Sequence, residues 1–275
     1  MSSEGILRAQ KQAGSQRPRF YVPSQALAIA GPGAVYELTK EETRHALRVL
    51  RLREGHSLEV CDGAGRVQQA RLGGLTHTNV AYVEATGAAQ QVAWSGPKWE
   101  LVAAVGGLKG TRDDWLVEKA TELGAWSFQP LLTQRARTLG KQAARHQVKV
   151  VSVAEVSEDE GLEEAEDVAH VNQMARWRRL ADAATKQSLR AHRLRILSPI
   201  SMAAISIRLE SAPVSFVAAA GAPPLLEVLQ DMAPALKAAS QAGGACVPLV
   251  VGPEGDFTGV ELEALIGSGA TPTAF

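Results

Sequence analysis

Between residues 99 and 251 the chain keeps returning to short unbroken apolar runs: 99-WELVAAV-105, 126-WSFQPLLT-133, 214-VSFVAAA-220 and 247-VPLVV-251. A strand that alternates apolar and polar residues can leave one face in water, but these runs have no wet face to offer. They require a sheet covered on both sides, and the helix-length spacers between them make its strands parallel. Helices are expected over 111–123, where Gly124 stops the run, near 141–156, over 173–190 and near 224–239, with 193-RLRIL-197 as a further strand. This α/β region is assigned to 98–275, and Ser95-Gly96-Pro97 reads as the linker that precedes it.

Upstream the rhythm is different. Strands are expected at 19-RFYV-22, 57-SLEVC-61, 66-RVQQARL-72 and 79-NVAYVEA-85. Asp62-Gly63 marks a tight turn between the second and third, because Gly accepts the positive φ that such a turn needs. One helix interrupts them over 40–52, with Thr39 and Glu42 at capping-box spacing. Several short strands and a single helix describe a small β-barrel over 19–95, behind a polar tail of residues 1–18 that lacks the apolar core of a secretory signal. No stretch approaches the apolar length of a membrane helix. Two cysteines without paired spacing, Cys61 and Cys246, fit a reducing compartment. The expected location is the cytoplasm, with the chloroplast or mitochondrion as the alternative.

Lysine plus arginine and aspartate plus glutamate balance at 29 each, but the balance is not local. The segment 157-SEDEGLEEAED-167 holds seven carboxylates and no base, and is expected to be a solvated surface insertion. Residues 176–195 hold seven Arg or Lys against Asp182 alone. On the expected helix Trp177, Leu180, Ala181 and Ala184 form a buried stripe, while Arg176, Arg179, Lys186 and Arg190 fall along one exposed face. Stripes of one sign are footprints for phosphate backbones, though a solvated helix face gives the same pattern. Arg135, Arg137, Lys141, Arg145 and Lys149 form a second basic patch. Arg44, Arg48 and Arg51 share a helix with His45, which by itself reads first as a packed barrel histidine.

Several chemistries find no equipment. In 106-GGLKGT-111 Lys109 precedes the second glycine, which is the wrong order for a P-loop. Lys109 is read either as a solvated loop residue or as a contact to a phosphate of a larger ligand. No G-x-G-x-x-G fingerprint and no G-x-S-x-G elbow appears. The six histidines are scattered, so no metal site is expected. The helix 111–123 reads as an ordinary surface helix with Leu116, Ala120 and Leu123 on its apolar stripe. What stands out is 252-GPEGDF-257, a turn that follows an apolar strand and therefore lies at the carboxyl edge of the sheet, where open α/β proteins bind ligands. Its glycines offer close approach or unusual φ, and Pro253 stiffens it. Backbone groups in such a loop can recognise an adenine or an amino-acid moiety.

In combination, 19-RFYVP-23, 44-RHALRVLRLREG-55, 109-KGTRDDWLVEKATELGA-125, 135-RART-138, 176-RWRRLADAATKQSLR-190 and 251-VGPEGDF-257 resemble the RsmE family of small-subunit ribosomal RNA uracil-N3 methyltransferases, of the SPOUT class. The resemblance implies a PUA-like β-barrel that grips RNA and an α/β SPOUT domain with a trefoil knot. It also implies S-adenosylmethionine as cofactor, a homodimer, and methylation of N3 of a uridine in ribosomal RNA. It would put Gly252, Pro253, Glu254 and Gly255 at the cofactor, and Arg44, His45, Arg48, Arg51, Lys109, Arg176, Arg179, Lys186, Gln187 and Arg190 at the RNA. Gln187 and Arg190 match a family element in which Lys186 replaces the usual Glu, and Asp256 stands where a third Gly is common. The resemblance names no catalytic base. It also implies that 266-IGSGATPTAF-275 closes the chain before the family's last strand and helix, for which the alternative function is a non-catalytic RNA-binding remnant.

Overall fold

A computed structural model of the chain describes residues 17–29, 31–105, 111–136, 160–241 and 244–274. Lys109, Arg137, Lys141, Arg145, Lys149, the helix expected near 141–156 and most of the polar tail lie outside the described residues. The chain divides into two compact units. One takes the residues up to Ala93 together with Thr185–His192, and the other takes Trp94–Ala184 and Arg193 onward. The sequence, in contrast, places 185–192 with the second domain.

In the first unit the strands are β1 (Arg19–Tyr21), β2 (Val35–Glu37), β3 (Ser57–Cys61), β4 (Arg66–Leu75), β5 (Ala81–Ala85) and β6 (Gln90–Gln91). They form one sheet in the order β1-β3-β4-β5-β2, with β6 on β4. The β1–β3 pair is parallel and the other pairs are antiparallel. Phe20, Leu27, Leu58, Val60, Leu72 and Val83 fill its core. The turn between β3 and β4 is built by Asp62, whose carboxylate accepts the N–H groups of Ala64 (2.7 Å) and Arg66 (3.0 Å). Burial pushes the Asp62 carboxyl up, but these bonds and those from Ser24 and Arg66 outweigh it and leave the group below the usual carboxylate range. Two helices, α1 (Ser24–Ile29) and α2 (Lys40–Arg44), accompany the sheet. Thr39 caps α2 by accepting the Glu42 N–H at 3.1 Å. The Glu42 side chain does not close the expected capping box, because it is turned to Lys186. The single helix expected over 40–52 instead widens into a π-helical turn over His45–Val49, a local expansion found mostly at functional sites.

Thr185–His192 completes this unit. The Gly65 N–H donates to the Ala191 carbonyl (3.0 Å) and Arg19 donates to the Arg190 carbonyl (3.0 Å). The Lys186 ammonium donates to Glu42 at 2.8 Å and lies 5.7 Å over the Tyr21 ring. At Gly65, with φ of 104°, an added Cβ would lie 2.7 Å from the His192 ring. Only glycine lets the chain pass there.

The second unit carries β7 (Lys98–Ala103), β8 (Ser127–Leu132), β9 (Arg195–Ile196), β10 (Ile200–Ser201), β11 (Phe216–Ala218), β12 (Cys246–Val251) and β13 (Thr271–Thr273). All are parallel, in the order β10-β8-β7-β12-β11-β13, with β9 on β8. Its helices are α3 (Thr111–Leu123), α4 (Glu160–Gln187), α5 (Met202–Ser211), α6 (Leu225–Asp231), α7 (Ala233–Gln241) and α8 (Gly259–Gly267). The apolar runs are explained by burial on both faces. Val102, Leu131, Val217 and Val250 pack with Ile205, Leu209 and Leu265. Ala103 and Phe128 pack with Val117, Trp177 and Ala181.

Four expectations change here. The expected absence of the strand after the Gly-Pro-Glu-Gly helix is overturned: β13 follows α8 and pairs along β11, register Phe216 to Thr271. The helix expected over 173–190 begins earlier, at Glu160, and so takes in the second half of the acidic segment. Leu123 is 85% exposed, so the buried stripe of α3 is Val117, Ala120 and Thr121 rather than one ending at Leu123. The helix expected near 224–239 is two, α6 and α7, with Pro234 at the start of the second where its missing N–H costs least.

Candidate cofactor recess and nucleic-acid surface

β12 is the sheet's switch point. It is inserted between β7 and β11, and the chain then crosses β11 through α8 to lay β13 on the far side. The carboxyl ends of β11, β12 and β13 therefore converge, and between them lies a recess of about 280 Å³. Ala218, Ala219 and Ala220 form one wall, Gly252, Pro253 and Asp256 another, and Thr273 and Ala274 a third. These side chains are small, so backbone amides and carbonyls are reachable within a lining that is more apolar than polar. Ligand pockets run to about 300–1,000 Å³, so the recess takes one moiety of a cofactor rather than a large one whole.

The loop after β12 is held from several sides. The Asp256 N–H closes a turn on the Pro253 carbonyl at 2.8 Å. A Cβ on Gly252 would come within 3.1 Å of the Phe257 ring, a close approach that glycine accommodates without displacing the ring. The left-handed φ expected of the glycines falls instead on Asp256, at 61°. Asp256 tolerates it by accepting the Phe257 N–H at 2.8 Å. Arg135, on the loop after β8, donates to the Gly255 and Asp256 carbonyls. Arg112, at the start of α3, pairs with Glu254, both side chains being 80% exposed. Behind the loop, Thr258 and Glu261 form a full capping box for α8. The Glu261 carboxyl is pushed up by burial, but the N–H groups of Gln134 and Thr258, the Thr258 hydroxyl and nearby Arg135 outweigh that and hold it below the usual range.

Of the four residues expected at a cofactor, Gly252 and Pro253 line the recess, whereas Glu254 faces Arg112 and Gly255 meets Arg135. Asp256, Thr273 and the Ala218–Ala220 run were missed. The run of three alanines directly after a strand was the available signal. Among the described residues no group of His, Cys, Asp and Glu could hold a metal ion. Cys246 is half-buried, and burial together with Glu100 pushes its thiol up, away from a reactive thiolate.

The basic residues separate into committed and available sets. In the first unit Arg44 and Arg48 are exposed and line, with Lys40, Thr78 and Asn79, a groove of about 530 Å³ beside the π-helical turn. Among the described residues neither arginine has an ion-pair partner. Arg51 is exposed, with φ of 53°. His45 is half-buried, edge-on to Phe20 at 6.3 Å between centroids. Gln187 is exposed, whereas Lys186 is tied to Glu42 and Arg190 is half-buried. In the second unit Arg179 is exposed and Arg176, 54% exposed, pairs with Asp114. The single exposed stripe expected along this helix is thus interrupted at Lys186 and Arg190.

A family model described as an RNA methyltransferase domain matches residues 95–169 and 162–275, and one described as an RNA methyltransferase PUA domain matches residues 38–80. The Mycobacterium tuberculosis protein named ribosomal RNA small subunit methyltransferase E is 33% identical over 264 residues, covering 91% of this chain and 81% of that protein. The chain belongs to the ribosomal RNA small subunit methyltransferase E family. The member from Synechocystis is 27% identical over 243 residues and covers 88% of this chain, which spans only 66% of that relative's length. The fold agrees with membership. A Neisseria gonorrhoeae member solved with S-adenosyl methionine superposes with a TM-score of 0.65 at 21% identity, over 94% of this chain and 89% of that one. A Legionella pneumophila protein in complex with SAM gives 0.67 at 20% identity, over 95% and 90%. The PUA match falls inside the first unit and the α/β sheet within the methyltransferase match.

Proposed function

We propose that this chain transfers the methyl group of S-adenosylmethionine to N3 of a uridine in small-subunit ribosomal RNA. The observation that carries the reading is the recess at the ends of β11, β12 and β13 in a member of this family. Its residues fit one moiety of the cofactor: three alanines and Gly252 leave the space that larger side chains would fill, and a Cβ at Gly252 would displace Phe257. Gly252 and Pro253 would hold the cofactor through the backbone, with Glu254 and Gly255 holding the loop in place through Arg112 and Arg135. The cofactor supplies an activated sulfonium methyl. What remains for the protein is alignment, which can account for much of the acceleration, and removal of the proton that neutral uracil carries on N3. The target base must be unpaired or flipped out to present N3.

The RNA side of the proposal rests on Arg44, His45, Arg48 and Arg51 in the first unit, on Arg176 and Arg179 in the second, and on Gln187 and Arg190. Lys109 is assigned with them from the sequence. Lys186 is reassigned to holding Glu42. A trefoil-knotted path is proposed for the methyltransferase unit on the ground of family membership. Trp115, Leu123 and Val260, 60–85% exposed, support a homodimer, and two cysteines without paired spacing support the proposed cytoplasmic location. Titration of the purified chain with S-adenosylmethionine, followed by methyl transfer to a small-subunit ribosomal RNA fragment, tests the function. Saturable binding with N3-methyluridine as product is expected; no binding at millimolar ligand overturns the reading.

A further inference from the structure

Of the described residues that line the recess, Asp256 alone ionises. The others are alanines, Val251, Gly252, Pro253 and Thr273. It also occupies the one left-handed position of its loop, a conformation disfavoured for a residue with a Cβ. One carboxylate oxygen is committed to the Phe257 N–H. The neighbouring Arg135 guanidinium is directed at the Gly255 and Asp256 carbonyls, and the structure assigns it no bond to the Asp256 carboxylate. The Glu254 carboxylate is turned away to Arg112. Among the described residues the recess therefore has one formal charge in its wall, and that charge is negative.

We propose that Asp256 is a specificity residue that makes the recess prefer a cationic ligand to its neutral counterpart. On the functional reading above, on which this inference rests, it favours the sulfonium donor over the thioether left after methyl transfer. The two ligands share their adenosyl and amino-acid groups and differ at sulfur by a methyl and a positive charge. In this proposal the sulfur end of the ligand sits beside Asp256, where a carboxylate acts on the difference between them, whereas its action on the ammonium group common to both ligands cancels in the ratio. Discrimination of this kind favours exchange of spent for fresh cofactor. Because Asp256 is exposed, its effect is that of a solvent-screened charge, about two- to fivefold in relative affinity, and it shrinks as salt rises.

Calorimetry with S-adenosylmethionine and S-adenosylhomocysteine, on the full chain, on Asp256→Asn and on Asp256→Gly, tests this. Asn keeps tolerance of the left-handed φ and Gly removes its cost, so both variants are expected to fold, as thermal melting checks. The expected result is that both lower the preference for the sulfonium ligand by about two- to fivefold, chiefly by weakening its binding. The wild-type preference should also fall with added salt. An unchanged ratio in both variants, with both ligands still bound, overturns the role of Asp256 and leaves the methyl-transfer reading intact. Failure of the wild-type chain to bind either ligand overturns both.

Discussion

The Glu261 carboxylate accepts the backbone N–H of Gln134 at 2.9 Å, across 127 residues of sequence. The same side chain accepts the Thr258 N–H at 2.9 Å and its hydroxyl at 3.0 Å. One buried carboxylate thus ties the loop after β8 to the helix that carries the Gly-Pro-Glu-Gly turn. Glu261 is 5% exposed, so its loss leaves several donors without a partner. Glu261→Ala should destabilise the chain by about 1–3 kcal/mol, read as a fall in melting temperature, and should weaken cofactor binding with it.

The same bonds predict a pH dependence. In the folded chain Glu261 keeps its charge to lower pH than when unfolded. Its contribution is whole above the ordinary Glu pKa of about 4.3 and is lost as pH falls through the lower folded value. The stability difference between wild type and Glu261→Gln, measured by denaturant melts from neutral to acidic pH, should therefore narrow on acidification. A difference that widens instead would show that the carboxylate is not held in its charged form.

Lys186 should behave as a structural residue. Its side chain is 21% exposed and that of Glu42 is 10% exposed. Lys186→Ala leaves Glu42 uncompensated and should cost about 1–3 kcal/mol, part of it recovered in the double variant with Glu42→Gln. If Lys186→Ala melts like wild type but loses RNA affinity, the residue belongs to the RNA surface after all.

Arg176→Glu combined with Arg179→Glu should weaken RNA binding and flatten its salt dependence, by about one unit of logarithmic slope per lost phosphate contact. Because Arg176 pairs with Asp114, the reversal also sets two carboxylates together, and melting must be followed in parallel. The Arg44→Glu, Arg48→Glu pair should give the same flattening without that penalty. Unchanged affinity in both pairs would reduce these residues to solvated faces.

Gly252→Ala tests the close approach at the recess. The added methyl would lie 3.1 Å from the Phe257 ring, so the loop must shift. Loss of about 1–3 kcal/mol of stability together with loss of S-adenosylmethionine binding is expected. Wild-type values for both would show that Phe257 yields freely.

Much of this was legible from residues. Apolar runs such as 247-VPLVV-251 forecast buried parallel strands, because they are too short for buried helices, rich in valine and separated by helix-length spacers. Asp62-Gly63 forecast its turn, and the turn at 252–255 forecast the edge where the recess lies. What escaped was set by tertiary context. β13, Thr-Pro-Thr, has little strand character of its own and exists because β11 offers it an edge. Lys186 looks like one cation among several until Glu42, 144 residues away, is brought beside it. The positive φ went to Asp256 because the turn on Pro253 places it one residue later than the glycines suggest.

The position of β12, central in the sheet yet drawn from residues 246–251, has a consequence for biosynthesis. Strands made earlier must wait for a late-arriving neighbour before the middle of the sheet can close, and such long-range pairing is slow. A ribosome-tethered chain would hold its first unit short of Thr185–His192, and the middle of its parallel sheet short of β12, until well over half of the residues have been made.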